Sequence, residues 1–152
     1  GGVPQASEFR WYADGGSGGL KPLVGVLQTS PTDPTISAPS GSTVSNGTAQ
    51  TVTWGAADPA SYVTIAVFGY AITPPGSATI TKTLSPDPGT YTFATDEWAP
   101  ILALGGGTMT VVVTRYRVST LVGPAISAGW SVTDVFALTT VTLHSKTYLM
   151  TN

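Results

Sequence analysis

Apolar and polar residues alternate with a period of two along much of this chain. The clearest run is Tyr62 to Ile72 (YVTIAVFGYAI), in which Val63, Ile65 and Val67 fall on one side. Because successive side chains of a strand point to opposite faces, this alternation predicts a β-strand. The intervening positions are nearly apolar as well, so we expect this strand to lie in the centre of a sheet.

Further segments have the same character, and clusters of Gly, Pro and Asp separate them at the spacing of about 8 to 12 residues that is typical of a sandwich. No long helical period competes with them, which disfavours α/β folds. These segments are Gln50 to Gly55, Ala78 to Leu84 after the breaker 74–76, a short strand at Tyr91 and Phe93, Thr108 to Val118, Ser127 to Leu138 and Thr140 to Met150.

One segment favours a helix, Thr95 to Leu104 (TDEWAPILAL). Thr95 is a suitable N-cap, Asp96 and Glu97 suit the positive end of a helix, and Pro100 limits its length. The pattern as a whole predicts an all-β fold, an immunoglobulin-like antiparallel β-sandwich with at most one short helical turn. We expect a shared core formed by Val52, Trp54, Val63, Ile65, Val67, Val111 and Val113.

The first 34 residues differ from the rest. Two apolar stretches, EFRWYA and LKPLVGVL, flank a GGSGG run, which is either a natural flexible hinge or a linker of the engineered kind. Residues 28–45 are rich in Ser, Thr and Pro and predict an extended linker with a short edge strand near Ile36. We therefore divide the chain into an arm with its linker at 1–34 and a sandwich at 35–152.

The arm has the pattern of a strand that pairs with another sheet. Phe9, Trp11 and Ala13 share one face of an extended strand, and Leu23 and Leu27 repeat this arrangement beyond the glycines. Such an arm can fold back on its own domain or add to the sheet edge of a neighbour. The second arrangement is head-to-tail and generates a fibre.

Composition narrows the functional class. Hydrophobic residues make up 41% of the 152 residues and charged residues only 9%, with Ser, Thr, Gly and Pro in their place. Charged side chains are what keep a soluble surface from associating, so this composition favours a protein that packs against its own copies or carries sugar. The net charge of −2 lacks the basic footprint of a nucleic-acid partner.

The absence of cysteine from the sequence excludes disulfides, thiolate nucleophiles and Cys-containing metal sites. No window reaches the roughly 20 apolar residues of a membrane span, and no signal-peptide pattern opens the chain. We expect a mature, secreted protein of the cell surface.

The order of features between residues 52 and 118 resembles an immunoglobulin-like β-sandwich domain found in bacterial secreted and surface proteins and lipoproteins. The matching stretches are VTW, YVTIAVFGY, GTYTF, WAPILAL and TMTVVVTRYRVST. The resemblance implies a binding or structural module and brings no catalytic residues. The chain departs from antibody-type domains in lacking the Cys pair.

Candidates for catalysis or metal binding are sparse. His144 is the only histidine and has no companion residues at a useful spacing, and the adjacent acids Asp96 and Glu97 diverge at a helix start. The Asp residues lack the spacing of a calcium loop, and the glycine clusters lack the frame of a phosphate cradle. We expect no enzyme activity, no cofactor and no metal.

Two features favour sugar. The rings of Trp11, Tyr12, Trp54, Trp98 and Trp130 are candidates for a sugar-stacking platform, although Trp in a sandwich is more often core. Asn46 begins the sequon Asn-Gly-Thr, a candidate glycosylation site that also arises often by chance. The expected partner is the chain itself in a filament held by strand addition, and the alternative is a monomeric adhesin or carbohydrate-binding module with glycan partners.

Overall fold

The computed structural model describes residues 8–13, 23–45, 47–122 and 135–151. These residues form nine strands and one helix. The strands are β1 (Glu8–Ala13), β2 (Leu23–Thr29), β3 (Thr43–Ser45), β4 (Thr51–Thr53), β5 (Tyr62–Ile72), β6 (Pro75–Leu84), β7 (Thr90–Thr92), β8 (Gly107–Val122) and β9 (Val135–Thr151), and the helix is α1 (Thr95–Leu102).

The main layer is a five-stranded sheet with the order β3-β9-β8-β5-β6. Its long antiparallel pairs keep an unbroken register, from Val63 opposite Leu84 to Ile72 opposite Pro75 between β5 and β6. The short β3 pairs with β9 in parallel, which the alternation of residues does not predict. The expected central position of β5 is confirmed, since it lies between β6 and β8.

The second layer is small. It consists of the antiparallel pair β4 and β7, a bridge between Ala38 and Thr53, and helix α1. Trp54 and Trp98 lie between the layers and are 0% and 1% exposed. All seven expected core residues belong to the buried cluster, which also contains Ile36, Phe93, Ile101, Met109, Tyr148 and Met150. The all-β sandwich with one short helix is thus confirmed.

Three boundaries differ from the sequence-based expectation. Thr95 is the first residue of α1 and not its cap; the cap position is Ala94, whose N–H donates to the Glu97 carboxylate at 2.9 Å. Pro75, expected in a breaker, begins β6, a position that an edge strand tolerates because the missing N–H is at the strand end. The two segments expected at the C-terminus form one strand from residue 135 onward, and residues 127–134 lie outside the described part.

The arm strands pair with each other. β1 and β2 form an antiparallel two-stranded ladder that is separate from the five-stranded sheet, with Phe9 opposite Gln28 and Trp11 opposite Val26. The register shifts between Trp11 and Ala13, which lies opposite Leu23. The division of the chain at residues 34 and 35 stays a prediction; within the part of the chain whose burial is described, the hydrophobic cluster begins at Ile36.

Candidate assembly surfaces

The side of the five-stranded sheet that faces away from the core is called here the outer face. On β5 and β8 it comprises the even-numbered residues of 62–72 and 108–118. On β6 and β9 it comprises the odd-numbered residues of 75–83 and 139–149, which the register places beside them. None of these positions holds a charged residue, and threonine is the commonest residue among them.

The outer face exposes large apolar side chains. Within the described part of the chain, it carries eight of the nine large hydrophobic residues that are exposed. A soluble monomer seldom gathers so many on one contiguous surface, so such a patch indicates an interaction site. These residues are Tyr62, Phe68, Tyr70, Ile72, Val118, Val141, Leu143 and Leu149.

The charged residues of the same strands all lie on the inner side. Lys146 donates to the Pro39 carbonyl at 3.1 Å, and Lys82 reaches Glu97 at 2.6 Å. Arg115 and Arg117 are bound to aspartates, as described below. A sheet with one solvated face usually has polar residues on that face and apolar residues on the other. The outer face departs from this arrangement, because the charged residues of its strands lie on the inner side.

The second candidate surface is the edge strand β6. It is hydrogen-bonded to β5 along all ten of its residues, and the described residues place no strand on its other side. Natural edge strands are usually shortened, bulged or charged to prevent pairing with another chain. The only charged residue of β6 is Lys82, which is turned inward toward Glu97. Backbone groups on this edge are a template for a further strand.

The residues expected to form the assembly arm lie in the β1–β2 ladder. Phe9, Trp11 and Ala13 belong to β1, and Leu23 and Leu27 belong to β2. Leu27 is paired with Arg10, so the two apolar sets are not simply opposite one another. The side chains of these five residues lie outside the described part, and their role in assembly stays a prediction.

A buried ion pair holds the end of the sandwich together. Arg115 and Asp87 are each 1% exposed, and the Arg115 Nε donates to the Asp87 carboxylate. The other carboxylate oxygen accepts from the Trp54 indole N–H at 2.9 Å and from the Gly89 N–H at 2.8 Å. The remaining guanidinium donors reach the carbonyls of Thr32 and Ala56. Both ions are fully engaged, as a buried pair must be, and neither is free to contact a substrate.

A second pair lies beside the first. Arg117 donates to Asp58 at 2.7 Å, and the backbones of Asp58 and Asp87 form a bridge. Burial alone would raise the pKa of Asp58, but the Ser61 hydroxyl, the charge of Arg117 and the Ala60 N–H outweigh it and lower that pKa. Both aspartates lie next to prolines in segments that the sequence predicts as turns between strands, and arginine at two inward positions of a strand is the signal that could have indicated their partners.

A third cluster joins α1 to the sheet. The Glu97 carboxylate accepts from Lys82 at 2.6 Å, from the Ala94 N–H at 2.9 Å and from the Tyr91 hydroxyl at 2.7 Å. These contacts, with the Lys82 hydrogen bond foremost, lower the pKa of Glu97 from 4.5 to about 2, and the same bond raises the pKa of Lys82. The cluster attaches the helix to β6. Glu97 therefore has a structural role, which is to hold α1 against the sheet.

Acid should therefore weaken this attachment. A carboxylate whose pKa is lower in the folded state stabilises the fold at pH above 4.5, and this contribution disappears as the pH falls toward 2. We expect Glu97→Gln to lower the melting temperature at pH 6, and we expect the difference between variant and wild type to be much smaller at pH 2.5, where the pH approaches the folded-state pKa. Thermal unfolding followed by circular dichroism measures this.

The matched control is Asp96→Asn, which alters the adjacent exposed acid and leaves the Glu97 contacts in place. It should follow the wild-type profile between pH 6 and 2.5. An equal gap between Glu97→Gln and wild type at both pH values would contradict the assignment.

His144 has a structural contact. It is half-buried on the inner side of β9, and its Nδ1 accepts the Ile36 N–H at 3.3 Å. Its neighbour Thr142 donates to the Thr32 carbonyl, and Ser145 belongs to the outer face. The contact fixes the linker where it enters the core, and no nucleophile is aligned with the ring among the described neighbours.

The sugar-stacking platform is partly contradicted. Trp54 and Trp98 are core residues and cannot stack on a ligand, because they are 0% and 1% exposed. The side chains of Trp11 and Tyr12, and Trp130 as a whole, lie outside the described part, as does Asn46, the first residue of the sequon. Modification of Asn46 stays a prediction.

Among the residues that the structure describes, no three His, Asp or Glu side chains come together as a metal site. Within the same residues, no helix has the length and apolar character needed to cross a membrane. No protein-family model, curated protein or solved structure matches this chain. The resemblance of residues 52–118 to immunoglobulin-like domains of bacterial surface proteins therefore stays a prediction.

Proposed function

We propose that this chain is a non-enzymatic structural subunit of an extracellular or cell-surface filament. Subunits join when the N-terminal arm of one adds as a strand to the sheet of the next. The observation that carries the proposal is the long edge strand β6, which has one charged residue and, among the described strands, is paired on one side only. An edge of this kind is the acceptor that strand addition requires.

The arm has the properties of a donor. β1 and β2 have six and seven residues, fewer than the ten of β6, so either fits along the acceptor. Their ladder is separate from the five-stranded sheet, and the buried cluster among residues with described side chains begins at Ile36, beyond both strands. Main-chain hydrogen bonds would supply affinity, and alternate side chains of the donor would supply specificity.

Because the donor and acceptor are different parts of the chain, each added subunit presents a new acceptor. Such a head-to-tail contact does not close on itself and produces a fibre. The low content of charged residues, 9%, suits subunits that are largely covered by one another. The same composition supports the proposed location outside the cell.

The proposal predicts filaments that a free donor shortens. Purified protein viewed by negative-stain electron microscopy should show fibres. A synthetic peptide of residues 1–19 in about tenfold excess should occupy acceptor edges and reduce fibre length several-fold, since a bound donor blocks the next subunit.

A peptide of the same composition with the order of residues 8–13 scrambled is the control and should leave fibre length unchanged. Discrete particles that bind glycans on an array would instead support the alternative, a monomeric adhesin or carbohydrate-binding module. Two of the five candidate rings for that alternative, Trp54 and Trp98, are buried in the core and cannot contact a sugar.

A further inference from the structure

We infer that the outer face is a second self-association surface, on which the same face of another copy of this chain packs sheet against sheet. This contact is independent of the arm and of the β6 edge, and it goes beyond end-to-end growth. In a filament it would join two fibres side by side.

Charge is the first reason to assign a second copy as the occupant. The outer face has no charged residue, so two identical faces meet without repulsion. A partner of another kind is usually selected by complementary charge, and this face offers none to select with. Lys82, Arg115 and Lys146 lie on the inner side of the sheet and bind partners there. The strands that form the outer face therefore place no charge on it.

The size of the face is the second reason. Strands β6, β5, β8 and β9 at about 4.8 Å spacing, and about 36 Å of strand length, give a flat area of roughly 700 Å². A standard protein interface buries about 800 Å² on each partner. Such interfaces range from about 600 to 1,000 Å² on each partner, and a projected area of roughly 700 Å² lies within that range, so one face is large enough for a stable pair.

The polar groups of the face are the third reason. Thr64 and Thr83 hydrogen-bond to each other across the sheet at 3.1 Å, and Thr110 and Thr147 do so at 3.0 Å. Burying a hydroxyl is costly when it loses its partners, but these hydroxyls keep theirs within the face. The surface can therefore be covered by an apolar partner at low cost.

The sizes of the side chains along the outer face identify its centre. Ala66 lies between Thr81 and Val112 in a row of small residues. Larger side chains rise on either side along β5, with Phe68 and Tyr70 toward one end and Tyr62 at the other. A charge placed at position 66 would be at the middle of the interface, where water is excluded.

The test uses the full chain with Ala66→Lys, and Ala99→Lys on the exposed side of α1 as the matched control. Sedimentation velocity measures lateral association and electron microscopy measures fibre width. We expect Ala66→Lys to weaken lateral association at least about a hundredfold, because like charges then face each other, and Ala99→Lys to leave it unchanged. Circular dichroism should show the same fold for both variants.

A second variant identifies the occupant. Ala66→Glu alone should be as defective as Ala66→Lys, while an equal mixture of the two should recover association to within about tenfold of wild type, since opposite charges then meet. Failure of the mixture to recover, or identical behaviour of Ala66→Lys and Ala99→Lys, would overturn the inference. Wild-type protein that shows no lateral association at any concentration tested would overturn it as well.

The outcomes separate this inference from the proposed function. Discrete pairs that Ala66→Lys dissociates, without fibres, would support the outer face and contradict strand addition. Fibres that the 1–19 peptide shortens, but whose width Ala66→Lys does not change, would support strand addition and overturn the outer face. Paired fibres that become single with Ala66→Lys would support both.

Discussion

Trp54→Ala should lower the free energy of unfolding by about 3 to 5 kcal/mol. The indole is fully buried between the two layers, and its removal leaves a cavity that the neighbouring strands cannot close. It also removes the N–H that donates to the buried Asp87 carboxylate at 2.9 Å. Small domains have a total stability of about 5 to 15 kcal/mol, so this loss is a large fraction of it. Urea denaturation followed by far-UV circular dichroism measures the change.

Trp54→Phe separates the two contributions. It keeps an aromatic ring in the core and removes the hydrogen bond to Asp87, so we expect a smaller loss of about 1 to 3 kcal/mol. If Trp54→Ala lost less than about 1 kcal/mol, the ring would be superficial and the register of β4 would be wrong.

The core could be predicted because its information is local. Val63, Ile65 and Val67 are spaced two apart, and a strand with that spacing can bury them only on one side. Trp54 follows the same rule one strand earlier. Where alternation is present, hydrophobicity and strand geometry are sufficient, and the structure buries these residues together.

The outer face required information that the alternation does not contain. The even-numbered positions of β5 are nearly apolar too, and a pattern that is apolar on both sides indicates burial on both sides. The described residues cover only one side, and Tyr70 and Ile72 are exposed at 54% and 71%. The alternation therefore predicts a second face that is suited to burial, but it does not reveal that the described residues leave this face uncovered.

The buried ion pair was missed for a different reason. Asp87 lies in a Pro-Asp-Pro-Gly sequence, which is a turn by every local rule, and Arg115 lies 28 residues away on another strand. Arginine at an inward position of a strand indicates that a buried acidic partner is needed, but nothing near either residue indicates which acid that is. Only the pairing of β5 with β8 and the turn after β6 bring them together, and pairings of that kind depend on the whole fold.

Deleting residues 1–19 should leave a folded sandwich and abolish fibre formation. The deletion removes β1 and leaves in place every residue of the buried cluster among the described side chains, of which Ile36 is the first. The contacts that hold the linker also remain, because the carbonyls of Thr29 and Thr32 still reach Arg117 and Arg115. We expect the free energy of unfolding to change by less than about 1 kcal/mol, as for surface changes in general. Urea denaturation and electron microscopy measure the two effects.

Deleting residues 1–7 alone is the matched control, because it shortens the same terminus and keeps β1. That variant should form fibres as the full chain does. The peptide of residues 1–19 should bind the truncated domain, because the β6 edge that accepts it is unchanged. Fibres from the truncated protein would show that Phe9 to Ala13 is not the donor strand. An unfolded truncated protein would show that the arm belongs to the core of its own domain, and a monomeric adhesin would then be the better interpretation.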